Sequence, residues 1–430
     1  MVYWAPILHF YQPPTQFPGV LKRICDESYR PLIALLGEFE RARATINING
    51  SLTQMLLDCG HQDVIDGLRG LAENGRIEFL GSAMYHPILP LIPKSEIARQ
   101  IELNQATNRR AFGDAYAPRG FFPPELAYGP IVADVVARTE HRWILSAGIA
   151  CPTAWPVSVI HRIEGHGDLS VLFRDDIISN RISFKNITGF EFIDHLRSQG
   201  RNGGPSYIVT AMDAETFGHH VRDWQRLFLA HVYAQFDDEA DAVDLKIEQP
   251  VNLAAQHRQI LEERTAPGKA LEVVTTSKLL ELFPAGTPVV PRPSSWSTSG
   301  EDLRRGVPYP LWSDPSNAVQ RLLWRHLDLC IELVNTAGRT KNGATAYADV
   351  ARGLLDQALH SCQFWWASRR PMWDLNMIER GLAEQRAVAL NAMKAIKLST
   401  VDDTCRSTAQ DRYVVAEDLS RRVREVLLES

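Results

Sequence analysis

No C-x-x-C occurs in this sequence; its six cysteines, Cys25, Cys59, Cys151, Cys330, Cys362 and Cys405, are scattered singly along 430 residues. That argues against a disulfide framework and predicts reduced, mostly buried thiols in a cytoplasmic protein. No apolar run approaches the ~18 residues of a membrane span. Met1 leads straight into a strand pattern, without the basic and apolar regions of a signal peptide. Positive charge is not in excess: Lys plus Arg is 46, Asp plus Glu is 51, and the net charge is -5. Nothing in that balance points to nucleic acid or an anionic membrane surface. Metal-ligand spacing is also lacking. There is no H-x-x-x-H, and the H-x-D at His61 to Asp63 begins a helix pattern rather than ending a strand. A metal must be met by three or four groups at once, so neither metal nor other cofactor is expected. Internal repeats and low-complexity tracts are missing too, and oligomeric state is left open.

What is present is a chain with 45% hydrophobic residues, enough for a sizeable core. Val2 to Leu8, Thr45 to Asn49, Arg76 to Leu80 and His141 to Ser146 read as strands. Tyr29 to Arg41, Gln62 to Asn74 and Ser95 to Ala111 carry apolar residues at helical spacing. Strand, helix, strand, helix predicts a parallel barrel or doubly wound sheet.

The most informative stretch is Tyr207 to His220, YIVTAMDAETFGHH. An apolar β-branched run follows the turn Asn202 to Pro205 and ends in two carboxylates and two imidazoles. Asp213 and Glu215 share a face, because an extended chain repeats every second residue. Gly218 permits a sharp turn, and Val221 to Phe236 continues as a helical pattern. Carboxylates at the carboxyl end of a parallel strand sit where α/β barrels build active sites; a helix N-cap at Asp213 or Thr216 is the plainer alternative. A second acid stands in RGFFPPELAYGP, where Gly120 to Phe122 reads as a strand and Pro123 and Pro124 stop it. Glu125 follows, and its plainer role is a first-turn Glu of a helix over Leu126 to Arg138. A retaining glycosidase needs two carboxyls roughly 5 to 5.5 Å apart. Two strand-end acids some ninety residues apart in sequence can form that pair.

LHFYQPP (Leu8 to Pro14), GSAMYHPILPLIP (Gly81 to Pro93), FFPPELAYG (Phe121 to Gly129) and MDAETFGHH (Met212 to His220) resemble, in order and spacing, the conserved regions of glycoside hydrolase family 57. The resemblance implies a distorted parallel (β/α)7 barrel, an incomplete TIM barrel of α/β class, followed by an α-helical bundle. It also implies retaining chemistry on α-glucans, with Glu125 as nucleophile and Asp213 as acid/base. Glu215 is then a substrate contact or support, although position alone leaves it a rival for the acid role. His9, Gln12, His86 and His219 are expected to touch the sugar; for His9 and Gln12 a structural hydrogen bond is the alternative, and for His86 a rigid packed loop. Trp155 can stack on a sugar face or pack in the core. Arg174 and Asp176, in FRDDIISNRISF, are expected to form an internal ion pair.

From Pro284 to Pro315 the chain carries seven prolines with Trp296, Tyr309 and Trp312. A linker would hold less tryptophan. A structured loop over the cleft is expected, with Trp296 and Trp312 as sugar platforms or interdomain packing. Asn317 to Asn335, Thr345 to Trp366 and Asp374 to Leu398 read as long helices, and Val415 to Leu428 as a final one after a polar loop over Thr400 to Arg412. In SCQFWWAS, Ser361 to Ser368, Trp365 and Trp366 point about 100° apart on a helix. Trp366 is expected to face the cleft, because Trp365 continues the stripe of Tyr347, Val350, Leu354, Ala358 and Cys362. The division expected is 1–283 for the barrel, 284–315 for the covering loop and 316–430 for the helical part. Hydrolysis is favoured by FRDDIISNRISF and VPYPLWSDPSN, with 4-α-glucanotransfer or branching as the alternative on the same scaffold. A zinc-dependent barrel enzyme and an inactive glucan-binding protein are the further classes.

Overall fold

The computed structural model describes residues 1–199, 204–236, 271–339 and 345–429; half of the turn expected over 202–205 lies outside them. Nine strands are found among these residues: β1 (Val2–Phe10), β2 (Ala44–Ile48), β3 (Ile77–Leu80), β4 (Gly120–Phe121), β5 (Trp143–Ser146), β6 (His161–Arg162), β7 (Ser170–Phe173), β8 (Ser206–Asp213) and β9 (Leu271–Val273). Seven run parallel around a barrel. One sheet has the order β3-β2-β1-β8 and the other β4-β5-β7-β6, with β6 antiparallel. The sheets join where Gly81 N donates to Gly120 O at 2.9 Å and Phe122 N to Gly81 O at 2.8 Å. On the other side Asp175 N donates to Val209 O at 2.8 Å, linking the end of β7 to β8. These seams are a few bonds wide, which is why the barrel is distorted. β2 pairs with β1 only from Ile7 to Phe10, and β9 pairs with the free half, Val2 to Trp4.

Burial follows from this topology. β1, β2 and β8 are buried along almost their whole length, as strands covered on both faces are. Helices Arg30–Glu38, Gln62–Glu73 and Lys94–Phe112 pack outside; the first two bury apolar stripes, and the third buries Glu96, Gln100, Asn104 and Asn108 beside Ile97, Ile101 and Phe112. At the carboxyl end of β8 the chain turns sharply. Gly218 has φ +124°, and a Cβ there would lie 1.8 Å from the Glu27 carbonyl oxygen, so no side chain fits. After it the expected helix is a π-helical turn, Gln225–Ala230, running into His231–Ala234.

Residues 284–315 fold back onto the barrel. Ile160 and Ile163 bridge to Ala285 and Val289, and Tyr128 pairs with Ser294 through hydrogen bonds of 2.8 and 3.2 Å. The helical part consists of Ala318–Ala337, Thr345–Ala358, Leu375–Leu398 and Asp403–Glu429. Two expectations fail here. Residues 403–412 are helix rather than loop, capped by the Asp402 carboxylate accepting from Cys405 N at 2.7 Å. Only Ala409 among them is buried, so no apolar period marks the helix in sequence. The helix expected over 345–366 breaks after Ala358 and restarts as Cys362–Trp365. Its buried face is Ala351, Leu355 and Ala358, while Tyr347 and Val350 are 41% and 49% exposed; the real stripe lies one residue beyond the expected one.

Candidate active site

A cavity of about 1050 Å³ opens over the carboxyl ends of β1 and β8. His9, Gln12, Glu125, Asp213, Glu215 and Trp296 all line it, as do Trp312 and Trp365. Strand ends supply the acids. Asp213 is the last residue of β8, paired in register with His9 of β1. Glu125 follows the two prolines that end the β4 segment, and the helix expected directly after it starts only at Pro130.

Glu125 has φ 59°, ψ 16°, with Leu126 at φ 48° and His86 at φ 58°. Left-handed backbone at a side-chain-bearing residue costs on the order of 1–3 kcal/mol and persists where surrounding contacts hold it. Here they do. Trp296 N donates to the Glu125 carbonyl at 3.1 Å, and Trp296 Nε1 donates to Glu125 Oε2 at 2.8 Å. The fold-back segment therefore grips the acid by both backbone and side chain.

Burial pushes the Glu125 carboxyl up to about 8, Asp213 adding to the shift and the Trp296 N–H opposing it. Asp213 is also raised by burial, but His9 and Arg174 offset part of that. Glu215 rises to about 7 through burial and Asp213, against hydrogen bonds from Tyr29 and Gln12. Its Oε1 accepts from the Tyr29 hydroxyl, from Gln12 Nε2 at 3.0 Å and from Tyr11 N at 3.4 Å. Glu215 is thus held by three donors, whereas among the described residues none hydrogen-bonds the Asp213 carboxyl. Arg174, 3% exposed, lines the same cavity. It forms the expected bond to Asp176 Oδ1 at 2.9 Å, and also binds Asn180 Oδ1 at 2.9 Å and the Ala211 carbonyl at 2.8 Å.

Four expectations about side chains are corrected. His219 turns away to Glu27, Nδ1 to Oε2 2.5 Å, and its neighbour His220 lines the cavity. Trp155 is 41% exposed and lies outside the cavity lining. Trp366 is 5% exposed, packed edge-on against His360, and Trp365 faces the cavity instead. The helix break at 359–361 resets the rotation on which the choice of Trp366 rested. His86 is fully buried behind the lining, with Nδ1 3.6 Å from Glu125 Oε1 and the Tyr11 ring stacked on it at 3.8 Å. Tyr29 and Asn47 join the site with no signal in the sequence, and Ser361 joins it from the SCQFWWAS stretch, in which only the tryptophans stand out. Tyr11 and Arg174 stood inside recognisable motifs and were open to notice.

Residues 11–261 match the sequence pattern described as glycosyl hydrolase family 57, more than half of the chain. The chain belongs to glycosyl hydrolase family 57. It is 26% identical over 220 residues to an alpha-amylase of Pyrococcus horikoshii, a stretch covering 49% of this chain and 33% of that protein. It is 25% identical over 220 residues to a 4-alpha-glucanotransferase of Thermococcus litoralis, covering 49% and 32%. The matched stretch spans about a third of either relative. Among solved structures, a GH57-type branching enzyme from Pyrococcus horikoshii superposes with a TM-score of 0.67 at 14% identity, covering 97% of this chain and 95% of that one. The family fold is the distorted (β/α)7 barrel with its helical bundle. Among the described residues no group of three or more His, Cys, Asp or Glu side chains could hold a metal ion, and no helix is long and apolar enough to cross a membrane.

Proposed function

We propose that this family 57 protein is a retaining glycoside hydrolase acting on α-glucans at α-1,4 and also α-1,6 bonds. The observation that carries this is the pair of partly buried strand-end acids, Glu125 and Asp213, facing one cavity rimmed by tryptophans. The Glu125 carboxylate attacks the anomeric carbon while the bond to the leaving sugar oxygen breaks, and Asp213 gives that oxygen its proton. In the second step Asp213 takes a proton from water, whose oxygen attacks the same carbon and releases Glu125. His9, Gln12, Trp296 and Trp365 contact the sugar, and Glu215 supports the floor. Residues 1–283 form the catalytic barrel, 284–315 its cover, and 316–430 complete the cleft. Six unpaired cysteines support a cytoplasmic setting.

Hydrolysis and transfer differ only in what reaches the glycosyl enzyme first. Incubating wild type, Glu125→Ala and Asp213→Ala with maltoheptaose and resolving the products separates them. Shorter sugars alone from wild type, and none from either variant, is the expected result; longer products as well indicate 4-α-glucanotransfer or branching. Variants equal to wild type would sink the two-acid mechanism.

One observation favours a second assignment of roles. Burial pushes Glu125 up to about 8 with no Lys or Arg offsetting it among the described residues, while Arg174 faces Asp213 and opposes its rise, a bias that suits Asp213 as the ionised group. For Glu125 to attack, positive character at the anomeric carbon must favour its charged form when sugar binds. Trapping the glycosyl enzyme with a fluorinated α-glucosyl fluoride and mapping the labelled peptide decides the matter. An adduct on Glu125 is expected; one on Asp213 reverses the roles.

A further inference from the structure

Two buried imidazoles stand beside Glu125, and their hydrogen bonds form one chain that ends on the helical part. His9 Nδ1 lies 2.5 Å from Asn47 Oδ1, His9 Nε2 lies 3.1 Å from His86 Nε2, and His86 Nδ1 lies 3.0 Å from Ser361 Oγ. All four residues are 2% exposed or less, so water does not compete for these bonds. Ser361 N also donates to the His86 carbonyl at 3.0 Å, and Pro87 bridges to His360. The two backbones are therefore held together at this point.

Burial keeps both imidazoles neutral, so each carries one N–H. An amide oxygen only accepts, which places the His9 proton on Nδ1 and leaves its Nε2 bare. The contact between the two Nε2 atoms needs one proton, so that proton belongs to His86. His86 Nδ1 is then bare and takes its hydrogen bond from the Ser361 hydroxyl. This same Nδ1 is the atom 3.6 Å from Glu125 Oε1. The nearest imidazole nitrogen thus has a lone pair, not a proton, to offer the carboxyl. Among the described residues Trp296 alone donates a side-chain hydrogen bond to Glu125.

We propose that Ser361 is a positioning residue for Glu125: its hydroxyl occupies the bare Nδ1 of His86 and so keeps that lone pair from taking a hydrogen bond from the Glu125 carboxyl. The inference rests on Glu125 being a reacting group. Without the hydroxyl, the bare Nδ1 of the neutral His86 is free to accept from the protonated Glu125 carboxyl, 3.6 Å away, while Nε2–H keeps its bond to His9. A hydrogen bond from the carboxyl to that nitrogen favours the protonated form of Glu125. The other titratable groups around it come from every neighbouring element. Asp213 faces it from β8, and Tyr11 and Cys362 from the β1 loop and the helical part. His9, Arg174 and Glu215 surround Asp213, His360 faces His86, and Glu384 faces Tyr11, Cys362 and His360.

The test uses histidine-selective 15N labelling and long-range proton–nitrogen correlation spectra of the whole chain, with His9→Gln and His86→Gln for assignment. Wild type is expected to show His9 protonated on Nδ1 and His86 on Nε2. Ser361→Ala should keep both tautomers but move the His86 Nδ1 resonance as its hydrogen-bond donor changes, and Ser361→Thr, which retains a hydroxyl, should leave it in place. On maltoheptaose the acidic limb of kcat/KM should move up by about one pH unit in Ser361→Ala, about tenfold in protonation equilibrium, and return in Ser361→Thr. A merely structural role would lower kcat/KM equally at every pH. A wild-type His86 protonated on Nδ1 overturns the proposal, as does Ser361→Ala leaving both spectrum and limb unchanged. The spectra need no turnover, so a wild type inactive on maltoheptaose sinks the glucan reading and leaves the tautomers to decide on Ser361. Should Ser361→Ala not fold, the wild-type tautomers decide alone.

Discussion

Glu96 and Asp356, 3% and 4% exposed, are buried as deeply as Glu215, yet the two regions treat their acids differently. Asp356 receives Arg99 through Nε at 2.8 Å and Nη2 at 2.7 Å, and Arg352 at 2.8 Å; Arg352 also holds Glu96 through two bonds of 3.1 and 2.7 Å. Two acids meet two guanidiniums, and the cluster joins a barrel helix to the helical part. In the cleft, Glu125, Asp213 and Glu215 share the neighbourhood of one arginine, Arg174, whose donors are taken by Asp176, Asn180 and the Ala211 carbonyl. Charge that is fully matched ties elements together. Charge left short of cations keeps its protons near neutrality, the condition under which a carboxyl can exchange one during a reaction.

The largest effect should separate these regions by activity. Glu125→Gln and Asp213→Asn are expected to lower kcat on maltoheptaose by about 10³-fold or more with folding retained, while Asp356→Asn stays within about twofold per folded molecule. Comparable loss in Asp356→Asn would break the comparison. Stability should sort the other way. Removing one partner from a buried charge cluster costs about 3–5 kcal/mol, so Asp356→Ala should lower the urea midpoint sharply. Trp366→Ala, which empties a packed site, belongs to the same range of about 3–5 kcal/mol.

The raised carboxyl gives a third handle. Glu125 sits at about 8 when folded, above the ordinary value of 4.5. The folded state therefore binds more protons than the unfolded one between these limits, and stability falls as pH rises through that window. Glu125→Gln carries no such charge. Its thermal midpoint should exceed that of wild type by a few degrees at pH 8, reflecting a gain on the order of a few kcal/mol, and the advantage should shrink towards pH 5. Equal midpoints at both pH values would show that burial does not hold the proton. Smaller still, Trp365→Ala should raise KM for maltoheptaose by about tenfold with stability nearly kept, reflecting a lost stacking surface. His219→Ala and Trp155→Ala should stay within about twofold in kcat/KM, because neither side chain lines the cavity.

The barrel was legible because its signals are local. β1, the helix Lys94–Phe112 and β8 each carry their period in consecutive residues, and the Pro123–Pro124 stop and Gly218 turn mark where the strands hand over to the site. Glu125 and Asp213 stood out as a pair, because each alone has a plainer helix-start role but two strand-end acids can supply the two carboxyls of a retaining glycosidase. Of the helix Asp403–Glu429, the part over Val415 to Leu428 was legible but its first turns over 403–412 were not, since small residues and ion pairs such as Arg412–Glu332 take the place of an apolar stripe there.

What the sequence determined by itself, then, was the alternation of strands and helices through β1 to β5, the run of β8, the two acids at strand ends and the motifs that tie them to family 57. Tertiary structure alone decided which tryptophan faces the cleft, that His219 leaves it, and that Trp296 and Ser361 reach Glu125 and His86 from 171 and 275 residues away. The reason is physical. Periodicity and chain stops act between neighbours, whereas the rotation of Trp365 depends on a helix break, and the hydrogen-bond direction at His86 depends on groups that meet only when barrel and bundle close on each other.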